Sequence, residues 1–146
     1  MMPLFVDSKS AFLFTSVLLI GPDSETVDVW ARSLSRRGHS YCILKAYNAD
    51  YGLEVLELKT LDCVVFDLDL PHAGFPALRR MIPDCLHTPL AVVALTEAKT
   101  KDVHELALYH GAHTCISKNL FEPCDLHRHV QDAISTAWKS RLDANA

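Results

Sequence analysis

Three apolar runs in this chain close on residues that can take part in charge or proton chemistry. Cys63-Val64-Val65-Phe66 ends on Asp67, Leu90-Ala91-Val92-Val93-Ala94-Leu95 on Thr96, and Cys115-Ile116-Ser117 on Lys118. Short apolar runs of this kind read as strands buried on both faces of a parallel sheet, whose carboxyl ends are where ligands collect. With the three runs side by side, an acid, a hydroxyl and an ammonium converge on one sheet edge. That trio suits a carboxylate that receives a phosphoryl group.

The elements that would position the trio alternate along the chain. Ser16-Val17-Leu18-Leu19-Ile20 reads as a first strand. Asp23 or Ser24 can cap the following helix, which carries Val27, Trp30, Ala31 and Leu34 at helical spacing and stops at Gly38. Tyr41 to Leu44 reads as a second strand, with a helix from about Ala49 to Lys59. After the third strand, Cys63 to Asp67, Pro76 suits the first turn of a short helix that Pro83 stops. The fourth strand, Leu90 to Leu95, leads to a helix through Val103, Leu106 and Ala107 to Gly111. The fifth, Thr114 to Ser117, leads to a helix from about Pro123 with Leu126, Val130, Ala133, Ile134, Ala137 and Trp138 on one stripe. Five βα units with right-handed crossovers predict an α/β fold, a doubly wound five-stranded parallel sheet with helices on both faces. The expected boundaries are a tail over 1–15, a domain over 16–140 and a frayed tail over 141–146, with no output domain after the last helix.

Composition narrows the setting. The chain has 146 residues, 49% hydrophobic and 22% charged, which fits one globular domain with a real core. Lys and Arg number 14 against 18 Asp and Glu, a formal charge of −4 with no basic block, so direct binding to nucleic acid is not expected. The five cysteines, Cys42, Cys63, Cys85, Cys115 and Cys124, form no CxxC pair and read as buried free thiols in a reducing cytosol. The apolar stretch from Ala11 to Ile20 is too short to span a membrane and lacks an A-x-A-like cleavage site, so it reads as a short leader and a strand.

At this point the chain resembles the CheY-like receiver domains of two-component response regulators, over roughly residues 16–140. Asp62-Cys63-Val64-Val65-Phe66-Asp67-Leu68-Asp69-Leu70-Pro71 resembles the phosphoacceptor strand and its loop, and Ala94-Leu95-Thr96-Glu97 the switch threonine. Gly111-Ala112-His113-Thr114-Cys115-Ile116-Ser117-Lys118 resembles the strand-five segment with its lysine. The resemblance implies a signalling module rather than an enzyme. Asp67 would accept a phosphoryl group from a sensor histidine kinase or a histidine phosphotransfer protein, with Lys118 and Thr96 each contacting a phosphoryl oxygen. It also implies Mg²⁺ to offset the charge between phosphate and carboxylates, and signalling or homodimerisation through the face of helix four, strand five and helix five.

Several residues depart from that pattern. Family members usually supply two consecutive acids at the end of strand one for the metal; here the positions hold Gly21 and Pro22. Asp23, one residue late, and Asp69, two after Asp67, are the remaining acids that could join Asp67 around the ion, although capping suits Asp23 and a surface loop suits Asp69. Cys115 stands where an aromatic ring usually moves with the threonine. Asn119 replaces the proline after the lysine, which predicts a trans bond because a non-proline cis bond costs about 3 kcal/mol. The loop Pro71-His72-Ala73-Gly74 is about one residue short.

These departures motivate two other readings. One is a phosphorylation-independent pseudo-receiver acting by contact, with Val103, Tyr109, His110, His127 and Arg128 as surface candidates. The other is a metal or redox module built from His113, Cys115, Cys124, His127 and His129, whose spacing matches no standard zinc pattern. Flavin and cobalamin binding lack supporting residues: Gly21-Pro22-Asp23-Ser24 offers too few phosphate donors, and no D-x-H-x-x-G pattern occurs.

Overall fold

The computed structural model describes residues 14–81 and 89–145. Its elements run β1 (Phe14–Ile20), α1 (Ser24–Ser35), β2 (Ser40–Ala46), α2 (Ala49–Leu58), β3 (Cys63–Asp67), α3 (Phe75–Arg80), β4 (Ala91–Thr96), α4 (Lys101–Tyr109), β5 (Thr114–Ser117) and α5 (Leu126–Asn145), the last preceded by a 3-10 turn over Pro123–Asp125. The five strands form one parallel sheet in the order β2-β1-β3-β4-β5. This is the doubly wound α/β fold expected from the alternation. Pro83 and Cys85 lie outside the described residues.

Strand alternation sorts the core into two layers. Leu18, Ile20, Val64, Phe66, Val92 and Ala94 face one way, onto Leu53 of α2, Leu78 of α3 and Ala107 of α4. Their neighbours Val17, Leu19, Val65, Val93 and Leu95 face the other way, onto Val27, Trp30 and Leu34 of α1 and Leu126, Val130, Ala133 and Ala137 of α5. Both faces of β3 and β4 are therefore covered, and these strands are buried throughout.

Local chemistry sets the helix starts. Asp23 caps α1 by accepting the Thr26 amide at 2.7 Å, and Asn48 caps α2 by accepting that of Tyr51 at 2.8 Å. Pro76 occupies the first turn of α3, after Gly74 at φ 97°, a conformation that favours glycine.

Some expected boundaries move. Phe14 and Thr15 belong to β1 rather than to a tail, because they pair with Ser40 and Tyr41. The last helix continues to Asn145, through most of the predicted tail over 141–146. Trp138 is largely exposed rather than part of the buried stripe.

The first turn of α5 lies near the sheet edge opposite β5. The helix packs on β4, β3 and α1. In its first turn, the His127 Nδ1 lies 2.6 Å from the hydroxyl of Tyr41, which also accepts a bond from Gln131 Nε2 at 3.0 Å. Tyr41 belongs to β2, the edge strand opposite β5, about 19 Å away at four strand spacings. The β5–α5 connection therefore crosses the α1 side of the sheet, where Ser33 of α1 donates to the Pro123 carbonyl.

Candidate functional site

Parallel register brings the three strand ends together. Asp67 pairs with Leu95 and Thr96 with Ser117, and the ladder continues past the strands: Leu68 N–H donates to Leu95 O and Lys118 N–H to Thr96 O, both at 2.8 Å. Asp67, Thr96 and Lys118 thus occupy one edge of the sheet, as the sequence predicts.

Asp67 is 2% exposed. An ionised carboxylate so deeply buried needs partners, and Lys118 Nζ lies 2.9 Å from both of its oxygens. The Asp69 amide adds a third bond, donating to Asp67 Oδ1 at 2.9 Å. Burial opposes the Lys118 ammonium, but its bonds to Asp67 and Asp69 outweigh that and hold its pKa above the ordinary lysine value.

Asp69 is the residue whose place the sequence least foretold. Its Oδ1 accepts the Thr96 hydroxyl at 3.0 Å, and its Oδ2 accepts the Glu97 amide at 2.7 Å and lies 3.1 Å from Lys118 Nζ. Partial burial pushes the pKa of this carboxyl up. The Glu97 amide, Lys118 and Thr96 together outweigh that, leaving the pKa below the usual carboxylate value. Thr96 Oγ1 in turn accepts the Ala98 amide at 3.1 Å, so the hydroxyl is engaged on both sides.

The β4–α4 loop is also clipped to β5. His104 places Nδ1 3.0 Å from the Cys115 carbonyl and Nε2 3.1 Å from the Ala98 carbonyl, bridging the loop to the strand. Neither this clip nor the Glu97 contact has a signature in residue spacing. Cys115, at the position of the expected aromatic ring, is half-buried, and burial with the nearby Asp69 raises its thiol pKa to about 11. In the β3–α3 loop, His72 sits at φ 62°. That left-handed conformation is uncommon outside glycine and accompanies the short connection.

The residues present do not assemble a metal centre. Gly21 is buried, and a Cβ built on it would lie 2.7 Å from Val27 Cγ2 and 3.1 Å from Trp30 Cζ3, so α1 fills the space a side chain there would need. Pro22 is exposed, and Asp23 is exposed and spent on its cap. Asp67 and Asp69 share the Lys118 ammonium. Among the described residues no group of three His, Cys, Asp or Glu side chains is arranged to hold a metal ion. Mg²⁺ therefore does not fit the site as it stands.

The histidine and cysteine alternative likewise does not come together. His113 Nδ1 accepts the Val92 amide at 3.0 Å, extending the β4–β5 ladder, while His127 is bonded to Tyr41. Cys42, Cys63, Cys115 and Cys124 are free, with Cys63 fully buried and Cys42 and Cys124 exposed. Of the surface candidates, Tyr109 and Arg128 are exposed and Val103 half-buried, whereas the His110 ring stacks on Phe75 at 5.0 Å. His127 lies at the β2 edge and not beside α4.

A doubly wound five-stranded sheet carrying aspartate, threonine and lysine at adjoining strand ends defines a receiver-type domain. Comparison with known proteins agrees: the response regulator receiver domain family matches residues 17–131, and the chain belongs to it. A CheY-like receiver domain protein from Methanospirillum hungatei is 21% identical, with a TM-score of 0.71 over 87% of this chain and 98% of its own. The signal receiver domain of a DNA-binding response regulator from Colwellia psychrerythraea is 26% identical, with a TM-score of 0.71 over 83% of this chain and 98% of its own. A Burkholderia pseudomallei response regulator, described with a phosphorylated aspartic acid, a calcium ion and citrate, is 20% identical, with a TM-score of 0.67 over 89% of this chain and 72% of its own. No curated protein sequence matches. No helix among the described residues is long and apolar enough to cross a membrane.

Proposed function

We propose that this chain is the signal-receiving module of a phosphorelay, with Asp67 as the phosphoacceptor. The observation that carries this reading is the convergence on one sheet edge of a buried Asp67 carboxylate, the Lys118 ammonium 2.9 Å away, and the Thr96 hydroxyl held toward them through Asp69. An Asp67 oxygen would attack the phosphorus of a phosphohistidine on a sensor kinase or phosphotransfer protein. The P–N bond breaks, the phosphoryl group passes to the carboxylate, and the released imidazole nitrogen takes up a proton. Lys118 would offset charge on one phosphoryl oxygen and Thr96 would bond another.

The β4–α4 loop supplies the route outward. Thr96 and Glu97 begin it, and His104 ties Ala98 within it to Cys115 on β5. A change at the acceptor would shift a population on the surface of α4 and β5, with a kinase, a downstream protein or a second copy reading it in the cytoplasm. The response regulator with a phosphorylated aspartic acid supports the chemistry by similarity.

The test is covalent labelling with acetyl phosphate, with and without Mg²⁺, read by intact mass. Wild type should gain one phosphoryl group and Asp67→Ala none. No gain on wild type, or an equal gain on Asp67→Ala, refutes the reading. That outcome would favour the second reading, a phosphorylation-independent interaction module, which the filling of the Gly21 position by Trp30 and Val27 supports.

A further inference from the structure

The two side-chain donors assigned above to a phosphoryl group already have an acceptor, which they share with a backbone amide. Thr96 Oγ1, the Glu97 amide and Lys118 Nζ lie 3.0, 2.7 and 3.1 Å from the two oxygens of Asp69. These donors come from three separate segments: the end of β4, the start of its loop and the end of β5. A carboxylate bound by an ammonium, a hydroxyl and a backbone amide is held as an oxyanion ligand would be. Asp69 reaches the donors from the β3–α3 loop, and its own amide donates to Asp67 Oδ1 at 2.9 Å, which fixes the loop beside the acceptor.

We propose that Asp69 is an internal stand-in for the phosphoryl group, holding Thr96 and the β4–α4 loop in their anion-bound arrangement in the unphosphorylated protein. The inference rests on the phosphoacceptor reading only in taking Thr96 and Lys118 as the phosphoryl donors. It reverses the part the sequence suggested for Asp69: the carboxylate competes with phosphate for its donors and does not recruit a metal for it. Phosphorylation at Asp67 then requires Asp69 to leave its donors, so uptake is slow in wild type. The Ala98 amide bond to Thr96 Oγ1 makes the arrangement directional, because the hydroxyl proton is left to point at Asp69.

Two measurements on the full chain test this. The first is hydrogen–deuterium exchange at the Glu97 amide without any phosphodonor, in wild type, Asp69→Ala and Asp69→Asn. Asp69→Ala should speed exchange at least about tenfold, the scale of a lost bond to a charged acceptor, with Asp69→Asn intermediate because it keeps an oxygen and loses the charge. Exchange within a factor of about two across the three proteins overturns the proposal; Asp69→Asn, close in shape to wild type, answers the question if Asp69→Ala folds poorly. The second is acetyl phosphate labelling, in which Asp69→Ala should label Asp67 several-fold faster than wild type. If wild type labels and Asp69→Ala labels no faster, the competition is refuted. If no protein labels but Glu97 loosens in Asp69→Ala, the phosphoacceptor reading fails while the hold of Asp69 on the loop stands.

Discussion

Gly21→Ala is the smallest change that interrogates the missing acid pair. The new Cβ would sit 2.7 Å from Val27 Cγ2 and 3.1 and 3.2 Å from two atoms of the Trp30 ring. Both neighbours lie on the inward face of α1, with Val27 fully buried and Trp30 5% exposed, so neither can swing into solvent. Relief must come from a shift of α1 against β1. Overpacking of this sort costs about 1–3 kcal/mol, and the reduced entropy of the unfolded chain returns about 0.4–1 kcal/mol. The net expectation is a loss of about 1–2 kcal/mol, or roughly 2–8 °C in melting temperature for a chain of this size. Urea unfolding read by tryptophan fluorescence measures it. Gly21→Asp adds an unpaired carboxylate to the same crowded space, so it should destabilise further and gain no saturable Mg²⁺ binding. Pro22→Asp, on an exposed residue, should fold as wild type does. A Gly21→Ala protein as stable as wild type, or Mg²⁺ binding by Gly21→Asp, would refute the argument that α1 occupies the metal side of the pocket.

Lys118→Met removes the ammonium from a carboxylate that is 2% exposed, and breaking such a pair should cost on the order of 3 kcal/mol, Lys118 itself being only partly buried. Adding Asp67→Asn should recover most of the loss in urea melts, and additive losses would count against the pairing. His113 makes stability depend on pH: burial lowers its pKa from the ordinary 6.5, and its Nδ1 accepts the Val92 amide, so the folded state favours the neutral ring. The stabilisation is present above about pH 6.5 and fades as pH falls through that value toward the lower folded pKa, with His127 and His129 shifted in the same direction. The urea midpoint should therefore drop between about pH 7.5 and about pH 5.5, less so in His113→Gln; an equal drop in both proteins would remove His113 from the explanation. Gly52→Ala sets helix propensity against packing. Alanine gains about 1 kcal/mol in helix interiors, but its Cβ would stand 2.4 Å from Ile20 Cδ1 and 2.8 Å from its Cγ1 in the core, so a net loss of stability is expected, and a raised melting temperature would show that Ile20 yields.

The parts of this molecule that could be read from its sequence are those written in local pattern. Asp67, Thr96 and Lys118 were legible because an apolar run ending in a polar residue marks where a buried strand meets the surface, and parallel strands end together. Capping by Asp23 was legible because a carboxylate before a helical stripe has an amide within reach three residues on. What escaped was contact between segments distant in the chain. Nothing in the spacing of Trp30 says that its ring fills the space beside Gly21, since that depends on how α1 lies across β1. The helical stripe of α5 places Leu126 and Val130 inward, but not the route by which its first turn reaches Tyr41 at the far edge of the sheet. Asp69 shows the same limit: its bond to the Asp67 carboxylate is local, while its acceptor role is set by β4 and β5.

Charge determines which way Asp69 acts. Both carboxylates lie about 3 Å from one ammonium, which places Asp67 and Asp69 within roughly 6 Å of each other. At that separation and an effective dielectric of about 20, the two carboxylates repel each other by about 3 kcal/mol. With one lysine between them, the two carboxylates leave the pocket at a net charge of −1. A phosphoryl group arriving at Asp67 would add charge of the same sign to a space whose donors are already taken, and at Gly21 the space for an acidic side chain is closed by Val27 and Trp30. Moving Asp69 into solvent is the one adjustment that both frees the donors and reduces the repulsion. On the proposed reading a phosphoryl group and the Asp69 carboxylate are alternatives for the same site, and the energy separating them sets how readily Asp67 is labelled by a phosphodonor.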